Sequence, residues 1–492
     1  MNNDSTDILN ILDIKDSGIS ILAVRENSQT KTITLEKKVT THYCSHCGCR
    51  MYSKGKSTRH VNHPVMHGGL HLILEIIQRR WQCTNPACKK IETDEFSFVE
   101  KRRRNTNVSD LLIVNAFRNP EASAMQIARD YNVSDSHAIR TFARYVDMRR
   151  RQLPEAICVD EVYLNIHNGY KYALVIQDFI TGESIDLVET RRKLKTEPYF
   201  MAIPRKERER VKYVISDMYK PYLDYTRLYF PNAVNIIDAF HVIQVINFEF
   251  LKYIRKVIRS LDEKDRIENE RRCEEFHRKI ELKHSKDYLV LKKYHPLLLK
   301  NAKDIKIYTQ PRMNHTLGRM MNTFDYFDWM FRIDPKLEEI RDLKEIYVKF
   351  NAKHAGNPKA ARAALPAVIE AYKSSKYPMF HSIAMMLEDH FDAIINSFVV
   401  LEKASGDKVR LSNGPIESLN RITKDMKRLG RGFRNFEYVR NRFLFATRKN
   451  ATILGCPKRL EDTYLKYYIL EDETPYVYDE DFEDGWSAEF DD

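Results

Sequence analysis

Five apolar runs between residues 157 and 238 restrict what this chain can fold into more than any other feature. ICVDEVYLNI (157–166), YKYALVIQD (170–178) and ESIDLVET (183–190) are rich in β-branched and aromatic residues. Asn-Gly and Thr-Gly turns separate them, so the pattern predicts three consecutive antiparallel strands. Residues 193–210 are basic and helix-compatible. VKYVISD (211–217) and AVNIID (233–238) read as buried strands, each ending in an acid, with a short helix between them.

Three hairpin strands followed by helix, strand, helix and strand make a ribonuclease-H-like layout, in which the fourth strand lies beside the first. Neighbouring strands stand about 4.8 Å apart, so Asp160 and Asp217 are expected to converge. Two carboxylates that close repel unless a divalent cation lies between them. Hard oxygen ligands suit Mg²⁺ or Mn²⁺. Two such ions about 3.5–4 Å apart activate a water or a 3′-hydroxyl and stabilise a leaving oxygen. Glu417, in SNGPIESLNRITKDMKRLGRGFRNF, is the candidate third ligand: Asn413-Gly414-Pro415 opens a helix and places it in the first turn. Arg421, Lys424 and Arg428 follow on the same helical face, a track for DNA phosphates. The bland alternative is a solvated helix whose acid complements its dipole. Glu161 is expected on the opposite sheet face from Asp160, and Asp178 is expected to open a turn. Asp238, with His241 near it, is a candidate to support the site or to bind metal.

Charge and cysteine spacing add two further modules. The chain has 492 residues with 81 Lys and Arg against 69 Asp and Glu, a net charge of +12. The last 22 residues hold 11 of the acids and no Lys or Arg, so the rest carries 81 against 58, or +23. A basic body with an acidic tail points to a polyanionic partner such as nucleic acid. Cys44 and Cys47 in CSHC, then Cys83 and Cys88 in CTNPAC, match a four-thiolate Zn²⁺ site built on two tight turns brought together by a hairpin. Cys49, His46, His60, His63 and His67 are substitute ligands, and free thiols are the alternative. After KRRR (101–104), the segment from Asn119 onward reads as helix, short turn, helix. Residues 101–151 carry 11 basic and 5 acidic side chains. His137, Arg140, Arg144 and Arg149 are the candidates to face a DNA groove and its phosphates; a helical hairpin without a DNA role is the alternative. No stretch approaches the roughly 18 apolar residues of a membrane span. The N-terminus, acidic and without a long apolar core, does not read as a secretory signal. The expected location is the cytoplasm, in association with the nucleoid.

The order of these motifs resembles a known family. RRWQC precedes the second cysteine pair; a helix-turn-helix, VDE, ISD, IIDAFHVIQ and ExxNxxxKxxxRxxxGF follow. Together they are similar to the ISL-three family of bacterial insertion-sequence transposases over roughly residues 40–450. The CxxxxC spacing is a departure. The resemblance implies DDE transposition with Asp160, Asp217 and Glu417 at the matching positions. It also implies a ribonuclease-H-like core interrupted by a helical insertion, in accord with the 199 residues between Asp217 and Glu417. The expected multidomain α/β organisation is a zinc-binding domain over 1–100, a helix-turn-helix domain over 101–152, a catalytic core over 153–240 and 401–450, a helical insertion over 241–400, and a C-terminal segment over 451–492 with the acidic tail. The expected activity is binding of element ends, metal-dependent strand cleavage and strand transfer, by a homodimer or higher assembly on double-stranded DNA. Two other readings compete: a catalytically inactive DNA-binding regulator, and a tyrosine recombinase suggested by HAIR (137–140), whose motif lies inside the helix-turn-helix segment.

Overall fold

The computed structural model describes residues 8–465 except 17, 68–69, 167–168, 404–405 and 431–432, so the acidic tail lies outside the described residues. An N-terminal sheet comes first. Its strands are β1 (Ile19–Glu26), β2 (Thr30–Lys37), β3 (His42–Tyr43), β4 (Arg50–His67), β5 (Leu70–Cys83) and β6 (Ile91–Thr93). The order is β1-β2-β5-β4-β3, with β6 on β5, and the long β4–β5 hairpin is its spine. Alternate residues of β5, namely Leu72, Leu74 and Ile76, are buried against Leu35, Val61 and Phe98, as a strand with one core face requires. His63 lies in this layer, buried, with Nδ1 3.2 Å from Thr106 Oγ1.

Three helices follow: α1 (Asn107–Ala116), α2 (Ala124–Asp130) and α3 (Asp135–Tyr145). The hydroxyls of Thr106, Ser123 and Ser134 cap them by accepting backbone N–H bonds. Ile113, Phe117 and Phe142 do not close a small core of their own. They join the core of a second sheet, with Phe142 packed edge-on against Tyr438 and Phe445. Three short helices bury too little apolar surface to stand alone.

The second sheet contains β7 (Ala156–Tyr163), β8 (Tyr172–Asp178), β9 (Ser184–Val188), β10 (Tyr213–Ser216) and β11 (Val234–Ile237) in the order β11-β10-β7-β8-β9. β7, β8 and β9 are antiparallel, and β10 runs parallel to both β7 and β11. One face carries Ile157, Val159 and Leu174 against Phe200 of α4 (Lys193–Met201) and Tyr222 and Tyr225 of α5 (Lys220–Tyr229). The other face carries Cys158, Val162 and Val175 against two helices from the far end of the chain. Helix α6 (Ala239–Glu275) begins a helical region with a separate core that includes Phe250, Leu337, Tyr347 and Phe380. It contains α7 (Lys286–Tyr294), the hairpin β12 (Arg312–Asn314) and β13 (Arg319–Met321), α8 (Thr323–Ile333), α9 (Lys336–Lys353), α10 (Pro358–Lys373), α11 (Pro378–Asp389) and α12 (Phe391–Asn396). The chain returns through β14 (Val400–Glu402) and β15 (Lys408–Arg410) to α13 (Gly414–Gly430) and α14 (Phe436–Thr447), which cover the second sheet.

Arg442 of α14 pins the three N-terminal helices to this core. It is buried and donates to the carbonyls of Phe117, Asn119 (2.7 Å) and Ala122 (2.9 Å). Its guanidinium also lies over the Phe117 ring. Burial lowers its pKa to about 10, far above neutrality, so the cation persists. Arg442→Ala strands three carbonyls, each worth about 1–3 kcal/mol when left unpaired, and a drop in Tm on the order of 10 °C is expected. Arg442→Lys recovers only part of it, because one ammonium lacks the planar fork. Thermal melts of both variants check this. His63 generates a pH prediction. Burial pushes its pKa from 6.5 down to about 4. Between those values the unfolded chain holds a proton that the folded chain does not. Stability present above about pH 6.5 is therefore lost as pH falls toward 4, by up to roughly 3 kcal/mol. His63→Gln should flatten this part of the profile in melts recorded from pH 7.5 to 4.5.

Candidate active site and cysteine centre

Asp160 lies on the central strand β7, facing α13. Ile215 of β10 pairs with Cys158, which brings Asp217, just past the end of β10, alongside Asp160. Glu417 sits in the first turn of α13, whose Ile416, Leu419 and Met426 pack on the same sheet face as Cys158 and Val162. The carboxyls feel one another. Burial first, then the charge of Asp217, pushes the Asp160 pKa well above the carboxylate range, and Glu161 and Glu417 add to the rise. Burial also raises Asp217, opposed by the Tyr219 N–H (3.0 Å from Oδ1), His241 and Arg191. Asp160, Asp217 and Glu417 form no ion pair among the described residues. Their oxygens are less tightly drawn together than the cysteine sulfurs described below.

The start of α13 is held from three directions. Asn413 N–H donates to Asp238 Oδ2 at 2.8 Å, and its side-chain amide lies 3.2 Å from His241 Nε2. Gln177 of β8 donates to the Pro415 carbonyl at 3.3 Å. Asp238 also caps α6 through the Phe240 N–H at 3.0 Å. Both its oxygens are thus occupied by backbone donors, and Asp238 and His241 serve to position the glutamate helix.

Asn420, one turn beyond Glu417, links that helix to the sheet. It is buried, and Nδ2 donates to Asp160 Oδ2 at 2.9 Å and to the Glu161 carbonyl at 3.2 Å. The Glu161 N–H donates to the other Asp160 oxygen at 2.8 Å. In the sequence this asparagine is the Asn of ExxN, and its only signal is the +3 spacing that puts it on the face of Glu417. Glu161 itself points to the opposite side. There it meets Arg191 Nη1 at 2.6 Å and the Tyr222 hydroxyl, and Arg191 lies over the rings of Tyr172 and Tyr219. Asp178 opens the β8–β9 turn by accepting from the Ile180 N–H at 2.8 Å.

Of the candidate DNA contacts, Arg421, Lys424 and Arg428 are exposed along one face of α13, with Arg428 near Asp425 (3.1 Å). On α3, Arg140 is exposed, as is Arg149 beyond it. His137 and Arg144 are engaged within the chain instead. His137 Nε2 lies 2.8 Å from Asn105 Nδ2 and 3.2 Å from Thr141 Oγ1, and Arg144 Nε donates to the Lys458 carbonyl at 2.9 Å. That side of α3 is covered by residues 100–110 and by the chain beyond α14, which sequence periodicity alone does not reveal.

The cysteines assemble on the N-terminal sheet. Cys44 and Cys47 lie in the β3–β4 turn, where Gly48 takes φ +71°. Cys83 ends β5, and Cys88 follows in the next turn. The four sulfurs lie within 4.8 Å of one another, with Cys44–Cys88 at 3.7 Å and Cys47–Cys83 at 3.3 Å. Zn–S bonds of about 2.3 Å in a tetrahedron place sulfurs roughly 3.8 Å apart, so this donor set fits the ion. Hydrogen bonding, led by the Cys49 backbone, lowers the Cys47 thiol to about 6. Among the alternative ligands, His60 sits 3.5 Å from Glu75, and His63 bonds Thr106. Glu92, which sequence reading missed, braces the first turn: it accepts from Ser45 N (3.0 Å) and Oγ (2.6 Å) and meets His42 Nε2 at 3.1 Å. These bonds hold its carboxyl down at about 2.

A family profile described as Transposase, of the ISL-three DDE type, matches residues 157–443, more than half of the chain. The match runs from β7 through the insertion into α14 and so includes all three acids. A protein described as the transposase for insertion sequence element IS1001, from Bordetella parapertussis, is 23% identical over 237 residues, 46% of this chain and 55% of that protein. The chain thus spans about half the length of this curated relative. No helix among the described residues is long and apolar enough to cross a membrane. With the family profile matching more than half of the chain, from β7 into α14, the chain belongs to the ISL-three family of DDE transposases.

Proposed function

We propose that this protein binds the ends of an insertion sequence as double-stranded DNA and catalyses metal-dependent strand cleavage followed by strand transfer. The observation that carries this reading is that the charges of Asp217 and of Glu417, which lies beyond 199 intervening residues, both raise the proton affinity of buried Asp160, while none of the three acids forms an ion pair among the described residues. The second sheet, with order β11-β10-β7-β8-β9 and β10 parallel to β7, is the ribonuclease-H-like core of this reading. Buried hard-oxygen donors that raise one another's proton affinity suit Mg²⁺ or Mn²⁺. When bound, such ions supply activation of the attacking oxygen and stabilisation of the leaving one.

The chain's own residues do the rest. Asn420 and the Glu161 N–H fix both oxygens of Asp160. Asp238, His241 and Gln177 hold the α13 start so that Glu417 faces the aspartates. Arg421, Lys424 and Arg428 bind phosphates along α13 and lead the strand to the acids. Water hydrolyses a phosphodiester at the element end, and the freed 3′-hydroxyl then attacks target DNA in line. The cysteine centre holds Zn²⁺ as a structural staple. Helices α2 and α3 act as the helix-turn-helix, with Arg140 as the exposed basic residue of its second helix. The domain plan is 1–100, 101–152, 153–240 with 401–450, 241–400 and 451–492. Joining two ends needs at least two protomers, and the work is done on cytoplasmic, nucleoid DNA.

Asp160→Asn should retain binding to DNA flanking the encoding gene and lose Mg²⁺-dependent cleavage. A variant that cleaves at the wild-type rate, or a wild-type protein that binds ends and never nicks them, points to the regulator reading instead. Asn420→Ala should retain binding while cleavage falls about tenfold or more and half-saturation moves to higher Mg²⁺. Purified protein should carry one Zn²⁺ per chain by elemental analysis, and Cys83→Ser should lose it.

A further inference from the structure

The β12–β13 hairpin presents an outward face of two opposed methionines, Met313 and Met320, which are 49% and 56% exposed. Its inward face is anchored. Asn314 is buried and donates at 2.8 Å to both Tyr294 Oη and Tyr326 Oη, and these two rings stack 4.0 Å apart. Leu317 and Met321 are buried beneath it. By the strand register Arg312 and Arg319 leave the hairpin on the side of Asn314 and Met321 yet stay exposed: the Arg312 guanidinium lies 4.6 Å over the Tyr308 ring and that of Arg319 4.6 Å over the Trp329 ring, which Asp287 fixes through Nε1 at 2.7 Å. Neither arginine forms an ion pair among the described residues. Residues 301–322 hold Lys303, Lys306, Arg312 and Arg319 against a single acid, Asp304.

We propose that this hairpin is a DNA-contacting element, with its outward Met313–Met320 face packed against sugars and base edges and Arg312 and Arg319, reaching from its edges, on backbone phosphates. The assignment rests on the transposase reading and adds to it a contact surface outside the sheet that carries the acids. Charge selects the occupant: four cations, two of them held on aromatic rings with their N–H groups free of carboxylates, complement a phosphate backbone. Stacking costs no donor, because the guanidinium keeps its N–H edge in the ring-parallel plane. Methionine supplies an adaptable, polarisable apolar surface of the kind that architectural proteins set against unstacked or bent DNA. An anchored hairpin brings these groups to the duplex with little ordering cost.

The test is a binding titration over a range of salt, using full-length protein, a duplex from the DNA flanking the encoding gene and an unrelated duplex of equal length. R312A/R319A should weaken binding to both and reduce the slope of log K against log salt by about 2, one per phosphate contact. M313A/M320A should weaken binding several-fold with the slope unchanged. Wild-type affinity and slope in both variants would overturn the hairpin assignment alone. So would an M313A/M320A variant that binds DNA normally and loses self-association in sedimentation, because the face then covers a second copy of the chain. A wild-type chain that binds neither duplex overturns the transposase reading and this assignment with it.

Discussion

The burial of Asp160 beside Asp217, with Glu417 near enough for its charge to add to the rise in proton affinity, is the constraint on which the rest of this structure turns. Burial and mutual repulsion both favour protonation of Asp160, so the arrangement is costly by itself. The fold offsets part of that cost with polar donors: Asn420 Nδ2 and the Glu161 N–H on Asp160, and the Tyr219 N–H on Asp217.

Holding Glu417 against the aspartates requires a helix to return after a long excursion. The insertion leaves and re-enters the core at one place, which explains how a region this large is tolerated. Asp238 caps the outgoing α6 with one oxygen and accepts the Asn413 N–H, at the start of α13, with the other. Nearby, Asn396 donates to the Asn235 carbonyl at 3.1 Å. Closing an excursion at fixed ends adds little entropy cost per additional residue, and the region supplies its own core. Arg442 performs the corresponding task for the N-terminal helices by joining their turn carbonyls to α14. The three N-terminal helices and the α13–α14 pair thus share one core with the second sheet.

Much of this was legible in the sequence. The five strands were readable because each is a short apolar run bounded by turn residues, and their ends fell within a few positions of the observed ones. The neighbourhood of Asp160 and Asp217 was readable because the fourth apolar run was expected beside the first, and β10 does pair with β7. The cysteine pairs were readable because spacing and turn chemistry are local. Hidden from the sequence were partners far apart in the chain: Asn420 with Asp160, Glu92 with Ser45, and Arg144 with the Lys458 carbonyl. The last of these withdrew Arg144, and the packing around Asn105 withdrew His137, from the basic surface that helical periodicity suggested.

The sequence by itself determined the local elements, their order and the identity of the charged groups, since propensity, turn chemistry and periodicity act over a few residues. Only the tertiary structure decided which of those groups stay free and which are consumed as internal fastenings. It decided too that α1–α3 share a core with the sheet, and that one asparagine hydrogen-bonds the central aspartate. Those outcomes depend on contacts between residues hundreds of positions apart, which arise from packing of whole layers and have no signature in any one segment.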